Sequence, residues 1–291
     1  MTEAIGPGFA IIQSVLHPTD FSESSLVAFY HALKTAMLAK SKLTLLHISS
    51  DTTSEWSGFP GIRETLERWG ELPEGSPKAA VATLGVLANK VVANGSEPIN
   101  AVLGFLDKHP TDLIVLATSK RGNHVPWLGK SVSAPVTRKG GQMTLLIPSD
   151  TKGFVSGTDG SVKLKKILIP IASSPRPEPA LKAAARFVRK LNAPEGTFVV
   201  LHVGTSSTMP ALHYPQIDGW TWKKELRTGE VIDGIVKTAK EFEADLIVMP
   251  TDGRNGFLDG LRGSHSDRVL RYSVPPLLTI PVGSRISRFL I

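Results

Sequence analysis

The chain has 291 residues, of which 41% are apolar and 20% are charged, and its formal net charge is +7. This composition is typical of a soluble globular protein, and the length allows two domains of ordinary size. The absence of cysteine excludes disulfides, thiol catalysis and cysteine-ligated metals. Because basic and aromatic residues do not interleave along any stretch, we expect no nucleic-acid partner.

The N-terminal segment MTEAIGPGFAIIQ does not resemble a secretory signal, since it lacks a basic region and contains Glu3. No apolar run approaches the roughly 20 residues that a membrane-spanning helix needs. We therefore expect a cytoplasmic protein with no membrane partner.

The first half of the chain alternates predicted strands and helices. Residues 14–18 form a short apolar strand, and Ser22 is positioned to cap a helix that runs from about residue 24 to 40. A second buried strand follows at residues 43–48. The later elements are expected to be two helices, within residues 61–70 and 78–90, a brief strand at 91–93, a helix at 98–108, a strand at 112–116, a helix near 131–138 and a strand at 143–147.

The second half repeats this plan after a polar, glycine-rich stretch at residues 149–162, which has the composition of a linker. Strands are predicted at 167–171, 198–203, 220–226, 246–249 and 277–282, and helices at 179–191 and 229–242. A short loop replaces the two helices that follow the second strand in the first half. We expect Trp220 and Trp222 to face opposite sides of the sheet, one in the core and one at a crevice or an interface.

An internal repeat relates the two halves. The sequence DLIVLATSK from Asp112 matches DLIVMPTDG from Asp245 at five of nine positions, and the two aspartates lie 133 residues apart. The same separation relates Ser131 to Ser264, Ser133 to Ser266 and Pro148 to Pro281. A duplication of this length predicts two domains of one fold, over residues 1–150 and 163–291.

Regular alternation of strands and helices predicts an α/β fold. Each domain is expected to be a five-stranded, doubly wound, Rossmann-like parallel sheet with the strand order 3-2-1-4-5. We expect the final strands, residues 143–147 and 277–282, to pair as an intramolecular pseudo-dimer, because an unpaired apolar edge strand promotes aggregation. Association of two chains into a homodimer stays open. Ligands of such sheets bind beyond the strand C-termini, where the strand order reverses.

The glycine-rich segment after residue 249 is the candidate ligand site. Its glycines allow a ligand to approach the main chain, and a helix beginning near Ser264 presents unpaired N–H groups and the positive end of its dipole to a phosphate. Ser264 and Ser266 add hydroxyl groups. The alternative is that Gly253, Gly256, Gly260 and Gly263 only form turns and that Ser264 is an ordinary helix cap.

With these motifs the sequence resembles the universal stress protein family in its tandem, two-domain form. The resemblance rests on LHPTDFSESS from Leu16, on LLHI and VLHV in the second strands, on the two DLIV phrases and on the glycine loop. It implies binding of an adenine nucleotide, ATP or AMP, with Mg²⁺ as its counterion. ATP-binding members have a loop of the form Gly, two residues, Gly, nine residues, Gly-Ser, and an aspartate after the first strand.

The two halves depart from this family pattern in opposite ways. The second half keeps Gly253 and Gly263-Ser264 but has Pro250 at the first glycine and Ala172 at the aspartate. The first half keeps Asp20, but Ala117, Lys120 and Lys130 stand at the three glycine positions. The resemblance therefore implies a nucleotide site in the second domain, formed by Gly253, Gly256, Gly263, Ser264, Ser266, Val203 and Ala172. It implies a degenerate first site formed by Asp20, Ser131, Ser133, Lys120 and Lys130.

These residues predict a non-catalytic nucleotide sensor of the stress response, in which ligand occupancy changes the surface offered to an unknown protein partner. The alternative is a protein-interaction module of the same fold that binds no nucleotide. A phosphohydrolase or nucleotidyl transferase is disfavoured, because the sequence has no Walker loop and no evident base or metal set beside the glycine loop. We expect no metal site, and we expect His47 and His202, at matching strand positions, to support the fold.

Overall fold

A computed structural model describes residues 12–49, 56–95, 97–118, 141–149, 151–251, 268–269, 272 and 274–282. The strands of the first half are β1 (Ser14–Thr19), β2 (Lys42–Ser49), β3 (Leu87–Asn94), β4 (Leu113–Thr118) and β5 (Met143–Pro148). Those of the second half are β6 (Lys166–Ile171), β7 (Gly196–Val203), β8 (Trp220–Arg227), β9 (Leu246–Thr251) and β10 (Leu277–Pro281). The helices of the described residues are α1 (Glu23–Ala39), α2 (Ile62–Arg68), α3 (Ala80–Thr83), α4 (Pro98–Lys108), α5 (Glu178–Lys190) and α6 (Val231–Glu241).

All ten strands belong to one sheet, in the order β3-β2-β1-β4-β5-β10-β9-β6-β7-β8. Each half therefore has the strand order 3-2-1-4-5, with parallel neighbours throughout. The two halves join where β5 pairs antiparallel with β10. The predicted fold class and the predicted pairing of the final strands are both confirmed.

The junction of β5 and β10 has a local two-fold axis. Leu145 lies opposite Leu278, and these two residues are themselves 133 positions apart in the repeat. Both side chains are fully buried. Because equivalent residues face each other, the two halves meet as the subunits of a symmetric dimer do.

Helices cover both faces of the sheet. One core cluster lies between the sheet and α1, α2, α3 and α5, and the other lies between the sheet and α4 and α6. The central strands are buried along nearly their whole length, as parallel strands covered on both faces require. Within the described part of the chain, no helix combines the length and the apolar character needed to cross a membrane.

The aspartate of each DLIV phrase has the same structural role in its half. The Oδ2 atom of Asp112 accepts hydrogen bonds from the backbone N–H groups of Gln13 and Ser14, at 2.8 and 2.9 Å. The Oδ2 atom of Asp245 accepts from Lys165 and Lys166, both at 2.8 Å. Each aspartate therefore fixes the start of its first strand, which explains why both copies of the repeat carry it.

The start of the first helix agrees closely with its prediction. Ser22 is the N-cap of α1, and its side chain accepts a hydrogen bond from the backbone N–H of Ser25. The helix ends before Lys40, which adopts a left-handed conformation with φ of 52°. Side-chain capping by a serine thus sets one end of α1, and a left-handed residue sets the other.

Two local predictions were wrong. The stretch 78–90 is helical only over Ala80–Thr83, because Gly85 turns the chain with φ of 79° and Leu87 begins an eight-residue pairing with β2. The third strand is therefore longer than the predicted 91–93. Trp220 and Trp222 lie on one face of β8, where both rings pack on Phe198, since side chains two positions apart in a strand point to the same side.

The segment between β5 and β6, here called the connector (residues 151–165), is packed despite its polar composition. Phe154 is 2% exposed and Val155 is 1% exposed. The chain reverses between Val155 and Val162, which form an antiparallel bridge. The connector therefore joins the halves as a small folded hairpin. The division into domains at residues 1–150 and 163–291 stays a prediction.

Candidate functional site

Each half opens a crevice at the point where its strand order reverses. Strand β1 pairs with β4 only at Val15 and Leu16, although it pairs with β2 as far as Thr19. Strand β6 pairs with β9 only at Ile167 and Leu168, although it pairs with β7 as far as Ile171. The strands beside each switch point therefore separate toward their C-terminal ends, where ligands of doubly wound sheets bind.

Asp20 follows β1 at the lip of the first crevice, and one of its carboxylate oxygens orders the start of α1. The Oδ1 atom accepts from the backbone N–H of Ser22 at 3.1 Å, from the Ser22 hydroxyl at 2.6 Å and from the Ser25 hydroxyl. The Oδ2 atom is buried and has no hydrogen-bond partner in the described part of the chain. One oxygen thus supports the helix, and the other is left with unused acceptor capacity.

His17 occupies the gap between β1 and β4. Its Nδ1 atom lies 2.9 Å from the backbone oxygen of Val115, so the imidazole carries its proton on Nδ1. This side-chain hydrogen bond links β1 to β4 just beyond the point where their backbone pairing ends. The side chain is fully buried. Burial lowers the pKa of His17 to about 4, and the Val115 carbonyl and the Asp20 carboxylate oppose this shift. His17 is therefore neutral near pH 7 and closes the base of the first crevice.

An aromatic stack covers the end of β2 in the first half. The Phe21 ring lies parallel to the His47 ring at a centroid distance of 4.0 Å, and the edge of Phe59 meets Phe21 at 5.1 Å. Phe21 has a φ of 62°, and Gly58 provides space for its ring because a side chain at residue 58 would overlap it. Aromatic side chains therefore pack beside Asp20 at the C-terminal ends of β1 and β2.

The second crevice has small side chains at the matching positions. Ala172 follows β6 where Asp20 follows β1, and both Ala172 and Ser173 are exposed. Val203, at the end of the neighbouring strand β7, is half-buried and packs against Gly234 of α6. The described residues at the second crevice therefore have small side chains, and no acidic residue stands after β6 at the position of Asp20.

His47 and His202 make equivalent hydrogen bonds, which agrees with their predicted role in the fold. The Nδ1 atom of His47 lies 2.8 Å from the backbone oxygen of Thr19, the last residue of β1. The Nδ1 atom of His202 lies 3.2 Å from the backbone oxygen of Ile171, the last residue of β6. Each histidine therefore ties the end of the second strand of its half to the end of the first.

Among the predicted site residues, the structure describes three, which are Asp20, Ala172 and Val203. The others lie outside the described residues: Lys120, Lys130, Ser131, Ser133, Gly253, Gly256, Gly263, Ser264 and Ser266. Ala172 and Val203 end neighbouring parallel strands and share one edge of the sheet, whereas Asp20 belongs to the other crevice. In the described ranges, no group of three or more His, Asp or Glu side chains is arranged to hold a metal ion.

Sequence reasoning missed His17 and Phe21. A histidine inside the apolar run SVLHPT signals a buried polar group that needs a partner, but the sequence does not identify the Val115 carbonyl 98 residues away. The orientation of Phe21 depends on a left-handed backbone that phenylalanine rarely adopts. Both residues require three-dimensional contacts to interpret.

The fold and its two crevices define a tandem α/β protein with two Rossmann-like halves. The sequence profile described as "Universal stress protein family" matches residues 12–148 and 214–281, which together make up more than half of the chain. The chain belongs to the universal stress protein family. The stretch between the two matches includes β6, α5 and β7, and the structure shows that it follows the same plan as β1, α1 and β2.

Solved structures show the same fold at low sequence identity. A universal stress protein from Archaeoglobus fulgidus DSM 4304 is 19% identical, with a TM-score of 0.61 over 93% of this chain and 99% of that chain. A functionally unknown protein from Pseudomonas aeruginosa PAO1 is 12% identical, with a TM-score of 0.59 over 97% and 96%.

The cytoplasmic domain of a prokaryotic cation chloride cotransporter is also similar. It is 12% identical, with a TM-score of 0.52 over 92% of this chain and 95% of that chain. At these identities the likenesses establish the tandem fold alone. No curated protein sequence matches the chain.

Proposed function

We propose that the chain binds an adenine nucleotide, ATP or AMP, at its second crevice and does not turn it over. The single observation that supports this choice of crevice is the difference in the two walls. Small exposed side chains stand at Ala172 and Ser173 after β6, whereas the matching positions after β1 have Asp20 and Phe21, whose ring stacks on His47. Small side chains at this strand end leave space for a flat base.

In this proposal the main chain around Gly253, Gly256 and Gly263 holds the phosphates, and Ser264 and Ser266 donate hydroxyl hydrogen bonds. Backbone N–H groups of a glycine-rich turn at a helix start suit phosphate oxygens. Mg²⁺ enters as the counterion of ATP. Val203 and Ala172 line the space for the base. The segment that carries these glycines begins directly after β9, whose separation from β6 opens the second crevice.

The first site is proposed to be degenerate. Lys120, Lys130, Ser131 and Ser133 offer charge and hydroxyl groups to a phosphate but lack the glycines that allow close main-chain approach. Asp20 still presents a buried Oδ2 atom with unused acceptor capacity. We propose weak or no nucleotide binding there, since side chains stand at all three glycine positions of the family pattern.

Thermal unfolding with and without ligand tests the proposal. ATP or AMP at a concentration 100 times its Kd stabilises a folded protein by about 2.7 kcal/mol, so we expect a clear rise in Tm. Ser264→Ala should reduce this rise. Ser131→Ala, at the matching position of the first half, is the control and should leave the rise unchanged. If no nucleotide raises the Tm at millimolar concentration, the proposal is wrong.

The rival function is a protein-interaction module of the same fold without a nucleotide. Its supporting observation is that neither half combines the aspartate with the complete glycine pattern, since Asp20 and the loop at Gly263 belong to different halves. The absence of any nucleotide effect on Tm would favour it. Release of ADP that Ser264→Ala abolishes would instead indicate a phosphohydrolase.

We further propose a cytoplasmic location and a role in the stress response, with a protein partner that distinguishes the occupied from the empty second crevice. Family membership supports the association with stress. An ordered glycine segment beside a bound nucleotide would present a different surface from an unliganded one, and this is the feature that a partner would bind. Capture of a partner in the presence of ATP but not in its absence would support this role.

A further inference from the structure

The connector is held to α1 by one histidine. His31 is fully buried, and its Nδ1 atom lies 2.8 Å from the backbone oxygen of Val27. A carbonyl only accepts hydrogen bonds, so the proton of the imidazole is on Nδ1. The bare Nε2 atom accepts from the backbone N–H of Phe154 at 3.0 Å and from that of Val155 at 3.2 Å. A neutral imidazole therefore anchors two consecutive residues of the connector.

The connector fits closely against the surface around His31. Gly153 has a φ of 63°, and a Cβ atom at this residue would overlap the His31 ring. The Phe154 ring meets the His31 ring edge-on at 4.6 Å and the Phe187 ring of α5 at 6.1 Å. Phe154 thus lies between a helix of the first half and a helix of the second. The connector bridges the two halves on one face of the sheet.

A second set of contacts holds the turn of the connector to the end of α2. The indole N–H of Trp69 donates to the backbone oxygen of Gly157 at 3.2 Å, and Arg68 donates to the same oxygen at 3.1 Å. The Trp69 ring packs on Gly160, which has a φ of 68°. These contacts are at the surface end of the hairpin, and the bonds to His31 are at its buried end.

We propose that His31 is an acid-sensitive latch: its neutral ring holds the connector in place, and protonation of Nε2 releases the connector from α1 while the sheet stays folded. The added proton turns Nε2 from an acceptor into a donor that faces the two N–H groups of Phe154 and Val155. Both hydrogen bonds are then lost, and a charged ring is left in an apolar site. Release exposes Phe154 and the apolar surface that it covers on both halves.

The charges near the latch do not counteract this effect. Burial lowers the pKa of His31 to about 4, and only the Val27 carbonyl opposes the shift, so no carboxylate stabilises the protonated ring. The charged groups on the surrounding elements have other partners or face solvent. Lys34 forms an ion pair with Glu71. The other groups are Arg68, Lys152, Asp159, Lys163, Arg186 and Arg189.

Hydrogen exchange of the intact protein tests the latch. Protection factors for the amides of Phe154 and Val155 are measured at pH 7 and pH 5, after correction for the intrinsic exchange rate. The pKa of His31 is about 4 while the connector is in place and about 6.5 once the connector is released. The protection factors of the two amides should therefore fall roughly 20-fold from pH 7 to pH 5. The amides of β1 and β6 exchange through unfolding of the sheet, which also responds to His17, so they should stay more protected than those of Phe154 and Val155 at both pH values.

Three variants complete the experiment. His31→Gln keeps an acceptor but does not titrate, so it should lose the pH dependence. His213→Gln, which removes an exposed histidine, is the matched control and should keep it. Gly153→Ala changes no titratable group but forces a methyl group against His31, so it should lower the protection of the connector already at pH 7.

Two results would overturn the proposal. One is a wild-type connector whose protection changes less than about threefold from pH 7 to pH 5, far below the linkage expectation. The other is an equal free energy of opening for the connector amides and the central-strand amides at pH 7 and at pH 5, which would show that the connector opens only when the sheet unfolds. Both results come from the wild-type protein, so they stand even if His31→Gln does not fold.

Discussion

The two crevices have the same strand geometry and differ in what fills them. His17, Asp20 and Phe21 in the first correspond to Ile169, Ala172 and Ser173 in the second. The first crevice keeps the acidic group and has the ring side chains of His17 and Phe21 close to it in the sequence. The second loses the acid but keeps small side chains and the glycine segment. The two halves therefore differ in which feature of the family's loop and aspartate pattern they have kept.

Interactions away from the crevices have stayed equivalent. Asp112 and Asp245 both hold the start of a first strand, and His47 and His202 both tie the ends of neighbouring strands together. Strand starts and strand pairings determine whether each half folds, whereas the loops at the strand C-termini determine what it binds. The comparison thus separates the residues that maintain the fold from those that are free to change its ligand.

The largest expected effect tests the equivalence of the halves at their junction. Leu145→Ala and Leu278→Ala should each lower the free energy of unfolding by about 3 kcal/mol, because each removes a buried leucine side chain at the two-fold axis. Urea denaturation measures both. Leu87→Ala, at a leucine that is 66% exposed, should change stability by less than about 0.5 kcal/mol. A difference above about 1 kcal/mol between the two buried variants would contradict local symmetry.

The second prediction uses His17, for which the second half has Ile169. The folded-state pKa of His17 is lowered to about 4, so its contribution to stability is complete above pH 6.5 and is lost as the pH falls from there toward 4. Protonation of His17 alone should lower the free energy of unfolding at pH 4.5 by about 2.5 kcal/mol relative to pH 7. His17→Ile should therefore weaken the fall in stability over this range.

The measurement for His17 is the difference in unfolding free energy between pH 7 and pH 4.5, compared for wild type and variant. The variant also loses the hydrogen bond to Val115, so its stability at pH 7 should be lower. Comparing slopes removes that constant loss. An unchanged slope would show that His17 is not the group that titrates.

Much of the fold was predictable from the sequence because its signals are local or repeated. The apolar runs gave the strands, the serine at residue 22 gave the start of α1, and the separation of 133 residues gave the second half. Features that depend on distant contacts were not predictable. Strand β3 is extended by pairing with β2, and the connector is buried because a histidine 123 residues away accepts the N–H of Phe154.

The candidate site was only partly predictable. The position of Asp20 at the lip of a crevice follows from the strand order, which the alternation of elements predicts. That one of its oxygens caps the region of Ser22 and Ser25, and that Phe21 folds over His47, depend on side-chain packing. No sequence pattern distinguishes an aspartate that binds a ligand from one that orders a helix start.

A third prediction concerns how much the Asp20 side chain contributes to the stability of α1. Asp20→Ala removes the acceptor for Ser22 and Ser25 and a negative charge near the start of α1. It should lower the free energy of unfolding by about 1 kcal/mol, the usual size of a capping loss. Ser173→Ala, beside Ala172 in the second half, is the control and should have no measurable effect. An Asp20→Ala variant as stable as the wild type would show that the carboxylate does not stabilise α1.

The smallest effect on stability is expected for Ala172→Asp. This variant also tests most directly whether each half has lost a different part of the family's site pattern. Residue 172 is exposed, so the change in unfolding free energy should stay within about 0.5 kcal/mol. If the second crevice binds a nucleotide, an added carboxylate gives it the acidic group that the first half kept, and one charge-assisted hydrogen bond should lower the Kd about tenfold. Isothermal titration with ATP and AMP measures this Kd, with Ala172→Asn as the uncharged control. An equal gain in both variants would assign the effect to hydrogen bonding rather than charge, whereas a Kd unchanged in both would mean that the halves have not divided one site between them.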